Sequence, residues 1–234
     1  MISRRRAIGL SGLAAAVALA GGCGLFGKSI TYRYRLTVVV NTPQGIRTGS
    51  SVIQVDLKEQ NGLQGSHVQT RKAGDAVAVD LPGGKTLFAL LDGSPVTGLY
   101  ATLQDKFDWY ARAKALKNME GVHDVPRTVP NFRREQVDIW PTLVTFGDIA
   151  DPTTVVRVDP DNAAATLGEG MRIRRVTVEM TNDNVTTGIA KRFPWWSRYR
   201  DLHFDGTSTV SENMQDKKLT AHLTSGSFST EYRK

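Results

Sequence analysis

Residues 31–40 decide the fold of this chain and have the sequence Thr-Tyr-Arg-Tyr-Arg-Leu-Thr-Val-Val-Val. The large apolar side chains stand at every second position, namely Tyr32, Tyr34, Leu36, Val38 and Val40. Because successive side chains of a strand point to opposite faces, this spacing predicts a strand that buries one face and exposes the other. Turn-forming residues follow at 41–45, Asn-Thr-Pro-Gln-Gly, and so the chain is expected to reverse there.

Further short strands are predicted on the C-terminal side of this stretch. They are indicated by alternating or β-branched runs at residues 51–57, 77–81, 86–91, 140–146, 154–158 and 171–180. In the last of these runs the alternation slips at Arg175, which indicates a β-bulge. Weaker strand signals occur at residues 202–204 and 219–223.

Helical signals are concentrated in the middle of the chain. Apolar residues recur at helical spacing over residues 99–119, which predicts one longer helix. A short helical turn is predicted over residues 163–165, with Asp159 as its cap. The predicted fold class is therefore α+β: strand-rich, with a mainly antiparallel sheet, one longer helix and short helical turns. These elements are predicted to form a single domain over residues 31–234.

The first 22 residues are typical of an export signal. Three arginines at residues 4–6 precede an apolar stretch over residues 7–20, which is shorter than the roughly 20 residues of a membrane span. Small residues then lead to Cys23, the only cysteine of the chain. This segment resembles the lipobox of bacterial lipoproteins, with Ala20 at a position that is usually leucine. An ordinary cleaved signal with an incidental cysteine is the alternative.

The lipobox resemblance implies a location as well as a modification. It implies a diacylglyceryl thioether on Cys23, cleavage after Gly22 and acylation of the new amino group. The protein would then be attached to a membrane of the cell envelope and face the periplasm, and Gly24 favours the outer membrane. Residues 23–30 would form a tether to the domain. Residues 3–8 also resemble a twin-arginine motif, so both export routes remain open.

Two longer stretches resemble an uncharacterised family of proteobacterial envelope proteins. The first is residues 34–55, with its Thr-Pro-Gln-Gly and Arg-Thr-Gly-Ser-Ser segments. The second is residues 140–196, with Pro-Thr-Leu-Val-Thr-Phe, Val-Asp-Pro and Val-Thr-Thr-Gly-Ile-Ala-Lys-Arg-Phe-Pro-Trp-Trp. This resemblance implies one exported domain and assigns no catalytic residue.

The charge of the chain gives little reason to expect a nucleic-acid partner. The whole sequence carries 30 basic and 23 acidic residues, a net charge of +7. Three of the basic residues belong to the signal segment, and without them the net charge is +4. Nucleic acid is therefore not among the predicted partners, which are a membrane and an envelope protein or the cell wall.

No strong catalytic, metal or cofactor signature follows Cys23, and so no cofactor and no metal ion is predicted. Residues 83–86, Gly-Gly-Lys-Thr, mimic the end of a phosphate-binding loop, but Val79 occupies the place of its first glycine. His123 is followed by Asp124, which offers a histidine–carboxylate pair for acid–base chemistry. An envelope hydrolase using these two residues is the alternative function, and a solvated loop is the simpler interpretation.

Residues 191–200 form the most unusual segment after Cys23, Lys-Arg-Phe-Pro-Trp-Trp-Ser-Arg-Tyr-Arg. The candidate binding residues in it are Arg192, Phe193, Trp195, Trp196, Arg198, Tyr199 and Arg200. Such a mixture suits a membrane interface or stacking on a ligand. In the alternative interpretation the tryptophans cover the core while the arginines stay solvated. The predicted function is that of a membrane-anchored envelope lipoprotein with a non-catalytic binding or scaffold role.

Overall fold

The computed structural model describes residues 27–62, 65–93, 95–96, 108–130, 133–208 and 218–231. Cys23 and the whole lipobox-like segment lie outside the described residues, as does the part of the predicted longer helix at residues 99–107. Among the described residues, no helix has the length and apolar character that crossing a membrane requires.

The described residues are strand-rich, and every pairing between strands is antiparallel. The strands are β1 (Ser29–Thr42), β2 (Gly45–Gly62), β3 (Gly65–Ala73), β4 (Val77–Asp80), β5 (Thr86–Ala89), β6 (Val122–Asp124), β7 (Thr128–Pro130), β8 (Gln136–Asp138), β9 (Leu143–Phe146), β10 (Val155–Arg157) and β11 (Arg172–Met180). They form a five-stranded sheet in the order β3-β2-β1-β11-β6 and a four-stranded sheet in the order β10-β9-β5-β4, while β7 and β8 pair with each other.

Strand β1 is the centre of the larger sheet and confirms the alternation that the sequence predicts. Its even-numbered side chains from Tyr32 to Val40 are buried in the main hydrophobic core. It pairs with β2 along its whole length and reverses at the predicted turn. On its other side, the register with β11 shifts between Val39, which faces Arg175, and Val40, which faces Ile173. One extra residue therefore lies next to Arg175, in agreement with the predicted bulge.

The central strands of the smaller sheet, β5 and β9, are buried on both faces, which explains why they are almost continuously apolar. Leu87 and Ala89 of β5 belong to the main core between the two sheets. The alternate residues Phe88 and Leu90 belong to a second hydrophobic core on the outer face of the same sheet. Strand β9 follows the same rule, since all four of its residues are buried.

The C-terminal part of the chain covers the outer face of the smaller sheet and closes the second core. It contributes Ile189, Phe193, Trp195, Phe204, Leu223 and Phe228. This layer has little regular structure, and so the strands predicted at residues 202–204 and 219–223 are wrong. A single bridge from His203 to Thr224 and a 3₁₀ turn at Leu219–Ala221 are found there instead. The segment is held by packing of its aromatic rings together with separate backbone hydrogen bonds, such as those from the Ala76 N–H to the Phe228 carbonyl and from the Leu91 N–H to the Ser227 carbonyl.

The described helices are short, and the prediction of one longer helix is not confirmed. Helix α1 is Trp109–Lys117, and its cap Asp108 accepts a hydrogen bond from the backbone N–H of Tyr110. Helix α2 is Ala163–Leu167 and agrees with the predicted short helical turn. Asp159 caps the 3₁₀ turn that leads into α2, by accepting a hydrogen bond from the N–H of Asp161.

Asp75 joins the C-terminal layer to the two sheets. Its side chain is 1% exposed and accepts hydrogen bonds from Ser229 Oγ at 2.5 Å and from the Ile189 backbone N–H at 2.7 Å. Its own carbonyl oxygen accepts a third hydrogen bond, from Ser51 Oγ in β2 at 2.6 Å. Burial raises the pKa of this carboxyl group, and the two donors to its side chain oppose that rise.

Replacing Asp75 with alanine should lower the free energy of unfolding by about 2–4 kcal/mol, because each buried hydrogen-bond donor left without an acceptor costs about 1–3 kcal/mol. The donors left behind are the Ile189 N–H and the Ser229 hydroxyl. Urea unfolding followed by circular dichroism measures the loss. Asp205→Ala is the matched control, since Asp205 accepts from Thr207 in an exposed turn and its loss should cost much less. Equal losses in the two variants would contradict the role of Asp75.

The raised pKa of Asp75 also fixes the sign of a pH effect. The folded state holds this proton more tightly than the unfolded state, so the contribution of Asp75 to stability rises as the pH falls through its native pKa. The rise ends near the unfolded pKa of about 4. We therefore subtract the free energy of unfolding of Asp75→Asn from that of the wild type, and we expect this difference to increase as the pH is lowered through this window. A flat difference between the two proteins would contradict the raised pKa.

Candidate functional site

The two ends of the larger sheet are called the tether end, after the predicted tether that precedes β1, and the distal end. At the tether end, where β1 begins, the Lys28 carbonyl accepts from the backbone N–H of Glu59, and the Lys28 N–H donates to the Glu59 carboxylate. At the distal end, β1 turns into β2 and β11 begins, with Arg172 paired to Asn41. The chain therefore enters the described fold at the end opposite to the β1–β2 turn.

Residues 191–200 are called the aromatic–basic segment, and its first residues lie at the distal end. The turn between β4 and β5 is fixed there, because Lys85 Nζ donates to the carbonyl of Thr166 in α2, just ahead of β11. Asp80, the last residue of β4, forms a bidentate ion pair with Arg192 at 2.7 and 3.0 Å. The guanidinium of Arg192 holds the pKa of Asp80 below its ordinary value. Arg192 is thus engaged in fixing the segment to the sheet.

Two of the predicted binding residues belong to the second core instead of the surface. Phe193 is 3% exposed and Trp195 is 6% exposed. The two rings lie 4.7 Å apart, and Trp195 contacts Phe204 edge-on at 4.9 Å. The indole N–H of Trp195 donates to the carbonyl of Ile149 at 2.8 Å. Neither ring is available to a partner in this arrangement.

The remaining residues of the segment form a surface, which we call the distal patch: Trp196, Arg198, Tyr199 and Arg200. Trp196 and Tyr199 are half-buried, while Arg198 and Arg200 are exposed. The Trp196 ring stacks on buried Phe193 at 5.7 Å with an interplanar angle of 12°. The guanidinium of Arg198 lies 5.7 Å from the Tyr199 ring centroid. The buried part of the segment therefore holds the exposed aromatic and basic groups on a rigid base.

His123 and Asp124 are not brought together. They are successive residues of the edge strand β6, so their side chains point to opposite faces of the sheet. His123 Nε2 lies 2.9 Å from the carbonyl oxygen of Glu120, and Asp124 lies 3.7 Å from a guanidinium nitrogen of Arg175. These contacts give no support to acid–base chemistry by this pair.

A groove at the tether end was not indicated by any sequence pattern. It has a volume of about 800 Å³ and is lined by residues of three elements, Thr31, Tyr32, Arg33, Lys117, Asn118, Met119, Glu120, Met180, Thr181 and Asn182. Because the ends of β1, β11 and α1 build it jointly, no single run of sequence carries its signature. In the part of the chain that the structure describes, no three His, Cys, Asp or Glu residues are grouped as a metal site.

Comparison of the chain with protein-family models, with curated proteins and with solved structures found no match. The interpretation of the distal patch and of the tether end therefore depends on their geometry and chemistry.

Proposed function

We propose that this protein is an envelope lipoprotein, anchored through Cys23, whose single domain binds or scaffolds a partner and is not a catalyst. In this proposal the domain begins before residue 31, because Lys28 is hydrogen-bonded to Glu59 and β1 begins at Ser29, so the tether is shorter than the predicted residues 23–30. The partner is an envelope protein or the cell wall, and the binding surface is the distal patch.

The observation that carries the proposal is the separation of Arg192, which fixes the segment of the distal patch to the sheet, from the start of the fold. Lys28 is held at the tether end, whereas Arg192 is held beside the β4–β5 turn at the distal end. A lipid on Cys23 would therefore hold the start of the fold, and not the Arg192 end of this segment, next to the anchoring membrane. This favours a partner in the periplasm over the lipid of the same membrane.

The chemistry of the distal patch supports a binding role. Tryptophan, tyrosine and arginine are the residue types that contribute most to binding energy in protein interfaces. Trp196 and Tyr199 are held by packing against the second core, so little conformational entropy would be lost when a partner covers them.

Replacing Trp196, Arg198 and Arg200 with alanine together should abolish most partner capture in intact cells. Crosslinking, purification of the tagged protein and mass spectrometry measure this. The expected loss is at least tenfold, since two or three central interface residues commonly contribute more than about 1.4 kcal/mol in sum. The control is Arg172→Ala with Arg174→Ala, two exposed arginines of β11. Equal capture by both variants would overturn the assignment of the distal patch.

A further inference from the structure

Helix α1 closes the tether end of the main core. Its inner face contributes Ala113 and Leu116, both fully buried. At its start, Lys28 Nζ lies 3.6 Å from the carboxylate of Asp108. Past its other end, Met119 lines the tether-end groove together with Met180 of β11. The helix therefore runs across the ends of the strands, from the beginning of β1 towards the end of β11.

The outer side of α1 carries an aromatic and basic stripe. Tyr110, Lys114 and Lys117 are spaced by four and three residues, so they share one face of the helix. Lys28 extends this stripe, since its ammonium lies 5.7 Å from the Tyr110 ring centroid. Lys114 and Lys117 are exposed, and neither forms an ion pair with another residue that the structure describes.

The acidic groups near this stripe either already have partners or lie beyond the helix. Asp108 pairs with Lys28 and caps α1. Glu59 accepts from the Lys28 N–H and from Ser66 Oγ, and these hydrogen bonds hold its pKa below the ordinary value. Glu120 follows the helix and lines the groove. The two lysines that project from the middle and end of α1 thus give the outer face a positive character.

The path from Cys23 to the fold is short. The chain is fixed at Gly27, where a Cβ atom would lie 2.4 Å from the carbonyl oxygen of Glu59, so only glycine fits without a shift. Four residues of chain from Cys23 to Gly27 reach at most about 14 Å when fully extended. Leu25 and Phe26 within this stretch are apolar. A lipid on Cys23 would hold the tether end, and α1 with it, against the membrane surface.

We propose that the outer face of α1 is a second membrane contact, which lays Tyr110, Lys114 and Lys117 against anionic phospholipid headgroups. This proposal rests on the lipid attachment proposed above. Tyrosine suits the boundary between headgroups and acyl chains, and lysine stems lie along apolar surface while their ammonium groups reach phosphate. The contact is electrostatic, because the apolar face of α1 is already buried in the main core and its basic side chains are the groups that can meet the headgroups.

The test uses the acylated mature protein, purified in detergent and reconstituted in vesicles. Acylated Cys23 leaves no other thiol in the chain, so a spin label can be attached at Asn118→Cys alone, next to α1 and exposed, or at Lys191→Cys as the distal control. Vesicles contain phosphatidylcholine with phosphatidylglycerol and a small share of nickel-chelating lipid. Relaxation of each label by the headgroup nickel measures its distance from the membrane surface. Intact mass of the mature protein reports acylation separately.

We expect strong relaxation of the label at position 118 and little at position 191. Lys114→Glu in the Asn118→Cys protein, or vesicles of phosphatidylcholine alone, should reduce the membrane-contacting population about fivefold or more, because each lysine near an anionic surface contributes about that factor. Similar relaxation at both positions in acylated protein would overturn the contact and leave the anchor intact. Absence of acyl chains in the intact mass would overturn both the anchor and the contact.

Discussion

Trp195→Ala should lower the free energy of unfolding by about 3–5 kcal/mol, the usual range for truncating a buried aromatic side chain. Five aromatic side chains would lose their contact with the indole: Phe146, Phe193, Trp196, Tyr199 and Phe204. The carbonyl of Ile149 would also lose the hydrogen bond that the indole N–H donates. Urea unfolding followed by far-ultraviolet circular dichroism measures the change, because a fluorescence signal would itself be altered by removing a tryptophan.

Trp196→Ala is the matched control for this prediction. Trp196 is half-buried and packs on the outside of the second core, so its truncation should cost only about 1 kcal/mol, near the average for point mutations. Partner capture should show the opposite pattern for Trp196→Ala: the variant should stay folded and yet capture much less partner than the wild type. If the two variants were equally destabilised, the division of this segment into a buried base and an exposed surface would be wrong.

The strands of the main core could be predicted from the sequence because one physical rule governs them. In β1, burial of one face imposes a period of two, and this period is visible from Tyr32 onwards. The central strands of the smaller sheet are buried on both faces, so the period disappears and a short apolar run such as β9 remains. Both patterns arise because buried positions are occupied by apolar residues, and so both can be recognised in the sequence.

Elements without an apolar periodicity of their own escaped prediction. Strand β3, Gly65–Ala73, is mostly polar and exposed, and it pairs with the edge of β2 that faces away from β1. Phe204 and Phe228 stand among polar residues in the sequence, yet their rings lie 5.8 Å apart in the second core. Their burial depends on the outer face of the smaller sheet, which no nearby residue reveals.

The candidate site illustrates the same limit. The sequence indicates which side chains have suitable chemistry, but not the direction in which each one points. His123 and Asp124 are neighbours in the sequence and diverge because a strand alternates its side chains. Phe193 and Trp195 are two residues apart, and both are buried in the second core. Trp196 is only partly buried and packs against the outside of that core. Only the fold distinguishes these outcomes.

Cys23→Ser should transfer nearly all of the protein from the membrane fraction to the soluble fraction. Serine cannot form the thioether, so the signal would not be processed by the lipoprotein route. Globomycin, which blocks that processing, should cause the precursor of the wild-type protein to accumulate. Lys28→Ala is the matched control in the tether, and it should remain in the membrane fraction. Membrane retention of Cys23→Ser together with indifference to globomycin would contradict the proposed anchor.

The expected size of this effect follows from the two membrane contacts taken together. Each buried methylene of an acyl chain contributes about 0.8 kcal/mol, so two or three chains hold the protein far more strongly than the domain surface does. The stripe formed by Lys28, Lys114 and Lys117 contributes only about 1 kcal/mol per lysine and is screened by salt. Any Cys23→Ser protein that still binds membranes should therefore be released by raised ionic strength, whereas the acylated wild type should stay bound. This difference would separate the proposed role of α1 in orienting the domain from the proposed role of the lipid in retaining it.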